Sequence, residues 1–111
     1  MIAAAQFSVH RTPSRNAVRP FVIVLQSDEF ARMPTRVVAP LVRPNAMPQL
    51  GSEQARVAPR LVVKGQGYVL NPFDLVTLGV HRLGALVATF VNDDEARRRI
   101  QDALNSILKP F

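Results

Sequence analysis

Few side chains in this chain of 111 residues could carry out chemistry by their type and spacing. There is no cysteine, which removes the thiolate nucleophile, the disulfide framework and zinc sites of the cysteine type together. His10 and His81 lie far apart, and neither has a ligand partner at motif spacing, so both read as strand or surface residues. Gly65-Gln66-Gly67 lacks the third glycine and the helix behind it that would aim amides at a phosphate, and reads instead as a hairpin turn. No metal or cofactor is expected. What remains is the chemistry of binding. The net charge of +6 draws acidic partners from a distance, and twelve of the fourteen basic residues are arginine, suited to bidentate contact with carboxylate or phosphate. The arginines are spread from Arg11 to Arg99, however, and Tyr68 with six phenylalanines is the whole aromatic set. A nucleic-acid module would interleave the two. Direct sequence-specific contact with nucleic acid is therefore not expected, and an acidic protein segment is at least as good a partner.

The elements that must position these residues are organised around Arg19 to Val42. Phe21-Val22-Ile23-Val24-Leu25 and Val37-Val38-Ala39 are apolar runs that fit strands buried on both faces, with a polar connection from Gln26 to Thr35. Pro20, Pro34 and Pro40 are expected to mark the strand boundaries, because proline has no amide to donate. Gln6 to His10 reads as a first strand with Phe7 and Val9 on one face, and Thr12 to Ala17 as a turn-rich loop. Arg43 to Gly51, with two prolines, reads as an exposed connection holding one helical turn. Arg56 to Lys64 and Tyr68 to Asn71 read as a hairpin around Gly65-Gln66-Gly67. A helical turn over Phe73 to Val76 and a strand over Leu78 to Leu83 bring the count to five or six strands.

The C-terminal pattern is a helix. Asn92-Asp93-Asp94-Glu95 supplies a cap with a glutamate at the third helical position, and the aspartates complement the helix dipole. Ala96, Ile100, Ala103, Leu104, Ile107 and Leu108 make one apolar stripe to pack on the sheet, with Arg98, Asp102, Asn105 and Lys109 on the opposite face. Arg98 and Asp102 can pair, for roughly a few tenths of a kcal/mol. Pro110 ends the helix, leaving Lys109-Pro110-Phe111 as a short tail. One domain is expected over residues 1–111; a mean hydropathy of +0.09 suffices for a core, and a second copy would add to its modest stability. No apolar run approaches the roughly eighteen residues of a membrane span, and the N-terminal run reads as too short for a signal peptide, so a cytoplasmic location is expected.

Taken in order, Gln6-Phe7-x-Val9, Phe21-Val22-x-Val24-x-Gln26-Ser27-Asp28, Arg36-Val37-Val38-x-Pro40-Leu41, Val80 to Gly84, and Ile100-x-x-Ala103-Leu104-Asn105 resemble the CcdB family of bacterial toxins. The resemblance covers nearly the whole chain. It implies a mostly β (α+β) fold, an antiparallel SH3-like barrel or sheet of five or more strands with a C-terminal helix, working as a homodimer. It implies a binding protein, no enzyme: a plasmid-maintenance type of toxin that binds the A subunit of DNA gyrase and traps its cleaved-DNA complex. A cognate antitoxin with an acidic, disordered tail neutralises such toxins, and the basic balance suits that partner. Carried over by position, the gyrase-binding surface would comprise Asn105, the tail Lys109, Pro110 and Phe111, and Glu29 with Phe30. The tail departs from the family's Trp-Gly-Ile, and a hydrated ammonium in place of an indole removes a contact of order 2 kcal/mol. Glu29-Phe30 likewise replaces two aliphatics.

The same stretch also resembles the MazF-type messenger-RNA endonucleases through Arg19-Pro20 and Val38-Ala39-Pro40-Leu41. Those enzymes share the fold and use the arginine together with a threonine just after the Pro-Leu pair. Here that position is Val42, which can neither move a proton nor hold a phosphate. A CcdB-like protein that has lost toxicity or changed target is the third reading.

Overall fold

The computed structural model of the chain describes residues 2–13, 18–46 and 57–108. Among these are seven strands, β1 Ser8–Arg11, β2 Phe21–Val24, β3 Thr35–Val42, β4 Arg60–Val63, β5 Gln66–Leu70, β6 Val76–Gly79 and β7 Leu86–Thr89, followed by helix α1 Asp94–Leu108. They form one curled antiparallel sheet in the order β4-β5-β3-β2-β1-β7, with β6 also on β3. The expected class, mostly β with a C-terminal helix, is what the chain adopts. No helix among the described residues is long and apolar enough to cross a membrane.

Burial on both faces of the central strands follows from their uninterrupted apolar runs. All four residues of β2 are buried, and alternation sends them to opposite sides. Phe21 and Ile23 join the main core with Val9, Leu41, Leu70 and Ile100, whereas Val22 and Val24 meet Val38 in a smaller cluster on the other face. Tyr68 stands edge-on to Phe21, ring centroids 5.3 Å apart, and ties β5 to β2.

Pro20 and Pro34 stand just before β2 and β3, as their missing amides require. Pro40 does not mark a boundary; it lies within β3, opposite Val22. The reason is the direction of its backbone groups. Val37 turns its N–H and C=O toward β2, since Leu25 N–H donates to Val37 O at 2.9 Å and Val37 N–H to Gln26 Oε1 at 3.1 Å. Three residues on, Pro40 faces the other edge, where its carbonyl accepts from Asn71 N–H at 3.1 Å. On that edge β5 ends at Leu70 opposite Leu41, and β6 begins at Val76 opposite Val38. The absent donor falls where β3 changes partner.

Four further readings shift. The turn of the β4–β5 hairpin is Lys64-Gly65, at φ +52° and +79°, and Gly67 already belongs to β5. Phe73 to Val76 is not helical: Asn71 Oδ1 accepts from Phe73 N–H at 3.0 Å, and this side-chain turn leads into β6. Leu78 to Leu83 is not one strand, because β6 ends at Gly79 and Val80–Arg82 forms a 3-10 turn closed by Leu83 N–H on Val80 O at 3.2 Å. β7 escaped the sequence reading altogether. It is held against β1 with a bulge at Val9/His10. Beside it Gly84 N–H reaches Arg11 O at 3.0 Å, so close that a Cβ on Gly84 would lie 2.8 Å from the same oxygen. The single helical turn expected after Arg43 is the 3-10 turn Pro44–Ala46.

The cap of α1 is Asp93, one residue later than read: its Oδ1 accepts from Ala96 N–H at 3.0 Å. Ala96, Ile100 and Ala103 are buried on the sheet, Leu104 and Ile107 are half-buried, and Leu108 is 68% exposed. Arg98 and Asp102 do not pair; the helix surface is tied instead by Arg97 to Asp94 at 3.8 Å and Gln101 to Asn105 at 3.2 Å. Ile100→Ala is expected to lower unfolding free energy by about 2–5 kcal/mol, and Asp93→Ala by about 1 kcal/mol, both read from urea denaturation midpoints.

Candidate functional site

The connection between β2 and β3 is short of regular structure but not of hydrogen bonds. Gln26 Nε2 donates to Phe30 O at 3.2 Å and Thr35 O at 3.1 Å, and its Oε1 takes the Val37 amide. Ser27 Oγ accepts from Glu29 N–H at 3.2 Å, and Asp28 Oδ1 accepts from Gln6 N–H at 2.8 Å. So Gln26, Ser27 and Asp28 are the scaffold of the loop. They wind Asp28–Phe30 into a 3-10 turn and leave Glu29 and Phe30 facing outward, Phe30 at 54% exposure. Met33, at 50%, extends the same loop as an exposed apolar side chain that the sequence reading passed over.

Asn105 lies on the exposed face of α1, as the wheel predicted, its Oδ1 accepting from Gln101 Nε2. Lys109, Pro110 and Phe111 fall outside the described residues. Among the described residues no hydrogen bond or ion pair joins Asn105 to Glu29 or Phe30. Half of the expected surface is thus placed, on two separate elements.

A concave feature lies on the face of the smaller apolar cluster. It is an open groove of about 370 Å³ with Val22, Val38, Val76 and Leu78 in its lining and Thr12, Arg19, Asp74 and Arg82 around them. Arg19 binds Asp74 at 2.7 Å. Val42, by contrast, is buried at 3% exposure. The sequence reading named Arg19 alone from this group. Thr12, Asp74 and Arg82 come from three distant segments and share no local pattern that would have linked them.

His10 is buried in β1, its Nε2 2.9 Å from Ser8 Oγ and its Nδ1 3.1 Å from Gly84 O. It links β1 to the approach of β7. His81 is exposed, with its ring over Gly79. Among the described residues no three His, Cys, Asp or Glu side chains gather as metal ligands.

Comparison with known proteins fits this architecture. None of the curated proteins matches the chain. Two solved structures share its fold at low identity. An endoribonuclease in complex with its cognate antitoxin, from a mycobacterial species, superposes with a TM-score of 0.71 at 16% identity, covering 100% of this chain and 99% of that one. An endoribonuclease from a mycobacterial species gives 0.69 at 15%, covering 97% and 93%. At such identity the likeness speaks for the fold. The family model described as CcdB protein matches residues 6–109, nearly the whole sequence, and the chain belongs to the CcdB family.

Proposed function

We propose that this protein is the toxin of a bacterial toxin–antitoxin pair, acting by binding the A subunit of DNA gyrase and trapping the enzyme on cleaved DNA. The observation that carries this reading is the family match over residues 6–109. Asn105, Glu29 and Phe30 support it, being exposed where a protein partner could reach them. The tail Lys109 to Phe111 completes the proposed surface. The neutralising partner would be a cognate antitoxin with an acidic tail, for which a net charge of +6 is suited. One of the solved neighbours is itself bound to its cognate antitoxin. We place the working form as a cytoplasmic homodimer; exposed Val62, Leu86 and Leu108 give a second copy apolar surface to cover.

A gyrase cleavage assay with purified protein tests this. Cleaved DNA should accumulate, and deleting Lys109 to Phe111 should abolish it. Asn105→Ala should weaken it while leaving stability within about 0.5 kcal/mol, since the side chain is exposed and makes one surface bond. No cleaved complex with the intact protein sinks the gyrase target.

A second reading, RNA cleavage, is favoured by one observation. Arg19, Arg82 and Thr12 line a single groove, on a fold shared with two structures named endoribonucleases. Val42 has no hydroxyl and is buried, so any hydroxyl partner of Arg19 would have to come from elsewhere; Thr12 lines the same groove, with its Oγ1 donating to Pro20 O at 3.5 Å. RNA cut at a defined short sequence, stopped by Arg19→Ala, would establish this activity. If expression without a partner leaves growth unchanged, the protein has lost toxicity.

A further inference from the structure

Arg36 is the anomaly of the structure. It is 3% exposed, yet among the described residues no carboxylate reaches it. All five guanidinium N–H groups instead meet backbone carbonyls. Nε donates to Ala4 O at 3.1 Å; Nη1 donates to Met33 O at 2.7 Å and Thr35 O at 2.9 Å; Nη2 donates to Ala3 O and Ala31 O, both at 3.0 Å. The fork is saturated by acceptors from three stretches of chain: the N-terminal arm, the β2–β3 connection and the start of β3. A lysine offers three donors from one atom and cannot reach this spread. An apolar side chain would avoid the cost of burying a charge, so what the guanidinium supplies is direction.

That direction falls on the exposed segment. With Gln26 holding Phe30 O and Thr35 O, and Arg36 holding Ala31 O, Met33 O and Thr35 O, the connection turns four carbonyls inward. The side chains of Phe30 and Met33 are left half exposed. The arm pays in backbone strain, for Ala4 sits at φ +51°, a region costly for a residue with a Cβ. Such strain is tolerated where surrounding bonds over-determine it, and both Ala3 O and Ala4 O are fixed by Arg36.

We propose that Arg36 is the positioning residue of the Glu29–Phe30 segment, setting the pose in which that segment meets a protein target without touching the target itself. The functional half of this rests on the reading that Glu29 and Phe30 are contacts; the positioning half does not.

Amide hydrogen exchange on the full chain tests the positioning directly. The amides of Phe30, Ala31 and Met33 donate to Ser27 O, Asp28 O and Phe30 O. In Arg36→Lys they should exchange about tenfold or more faster, with the amides of Ile100 and Ala103 in α1 unchanged. In Arg36→Ala, millimolar ethylguanidinium should slow the loop amides again by filling the emptied cage. Loop rates equal to wild type in Arg36→Lys overturn the proposal. So does acceleration of loop and helix together, or failure of both variants to fold, since either makes the role one of general stability. In the gyrase assay Arg36→Lys should lower cleaved complex at least about tenfold. Unchanged cleavage with a loosened loop refutes the functional half, whereas no cleavage by wild type refutes the gyrase reading and leaves the exchange result to decide the positioning.

Discussion

Every buried amide and carbonyl on β3 has to find a partner, and this requirement shapes the molecule more than any single apolar contact. β3 is the longest strand and borders β2, β5 and β6. It carries a proline with no donor in its middle. The conflict is resolved by letting β5 end and β6 begin on the edge that Pro40 faces, with the Asn71 amide donating to the proline's carbonyl. β5 contributes to the main core, while β6 borders the groove on the other face.

The same requirement extends into the connection before β3. The nine-residue connection from Gln26 to Pro34, with no ladder partner, would ordinarily be mobile at its tip. Here Gln26 and Arg36, one at each end, project side-chain donors into the loop and take up its carbonyls. Order in this loop comes from side chains, and its outward surface, Glu29, Phe30 and Met33, is what remains after the inward groups are satisfied. The helix contributes differently. Its buried turns fix its place on the sheet by apolar packing, and its last turn exposes Asn105 and Leu108 while Ile107 stays half-buried.

Legibility in the sequence varied with the reach of each interaction. The central strands could be read because an unbroken apolar run reports burial on both faces locally, and α1 because a stripe and a cap lie within one segment. β7 was missed because Leu86-Val87-Ala88-Thr89 is short and mostly half exposed, so its strand character depends on β1 alone. The strand read over Leu78 to Leu83 failed for a related reason. Its apolar residues satisfy a strand pattern, but β3 offers partners only as far as Gly79. Of the expected contact surface, the outward direction of Asn105 could be deduced from helical period, while the exposure of Glu29 and Phe30 needed the loop's hydrogen bonds.

By itself the sequence determined the fold class, the two-faced burial of β2 and β3, the helix and its outward asparagine, and the family, because each is written in local periodicity or in ordered blocks of residues. Only the tertiary structure decided that Pro40 sits inside a strand, that Thr12, Arg19, Asp74 and Arg82 share a groove, and that a buried arginine closes on five carbonyls. These depend on which distant segments come to face one another. A missing donor, an ion pair across 55 positions or a saturated guanidinium leaves no periodic mark in the chain; each is settled when the partners are brought within about 3 Å.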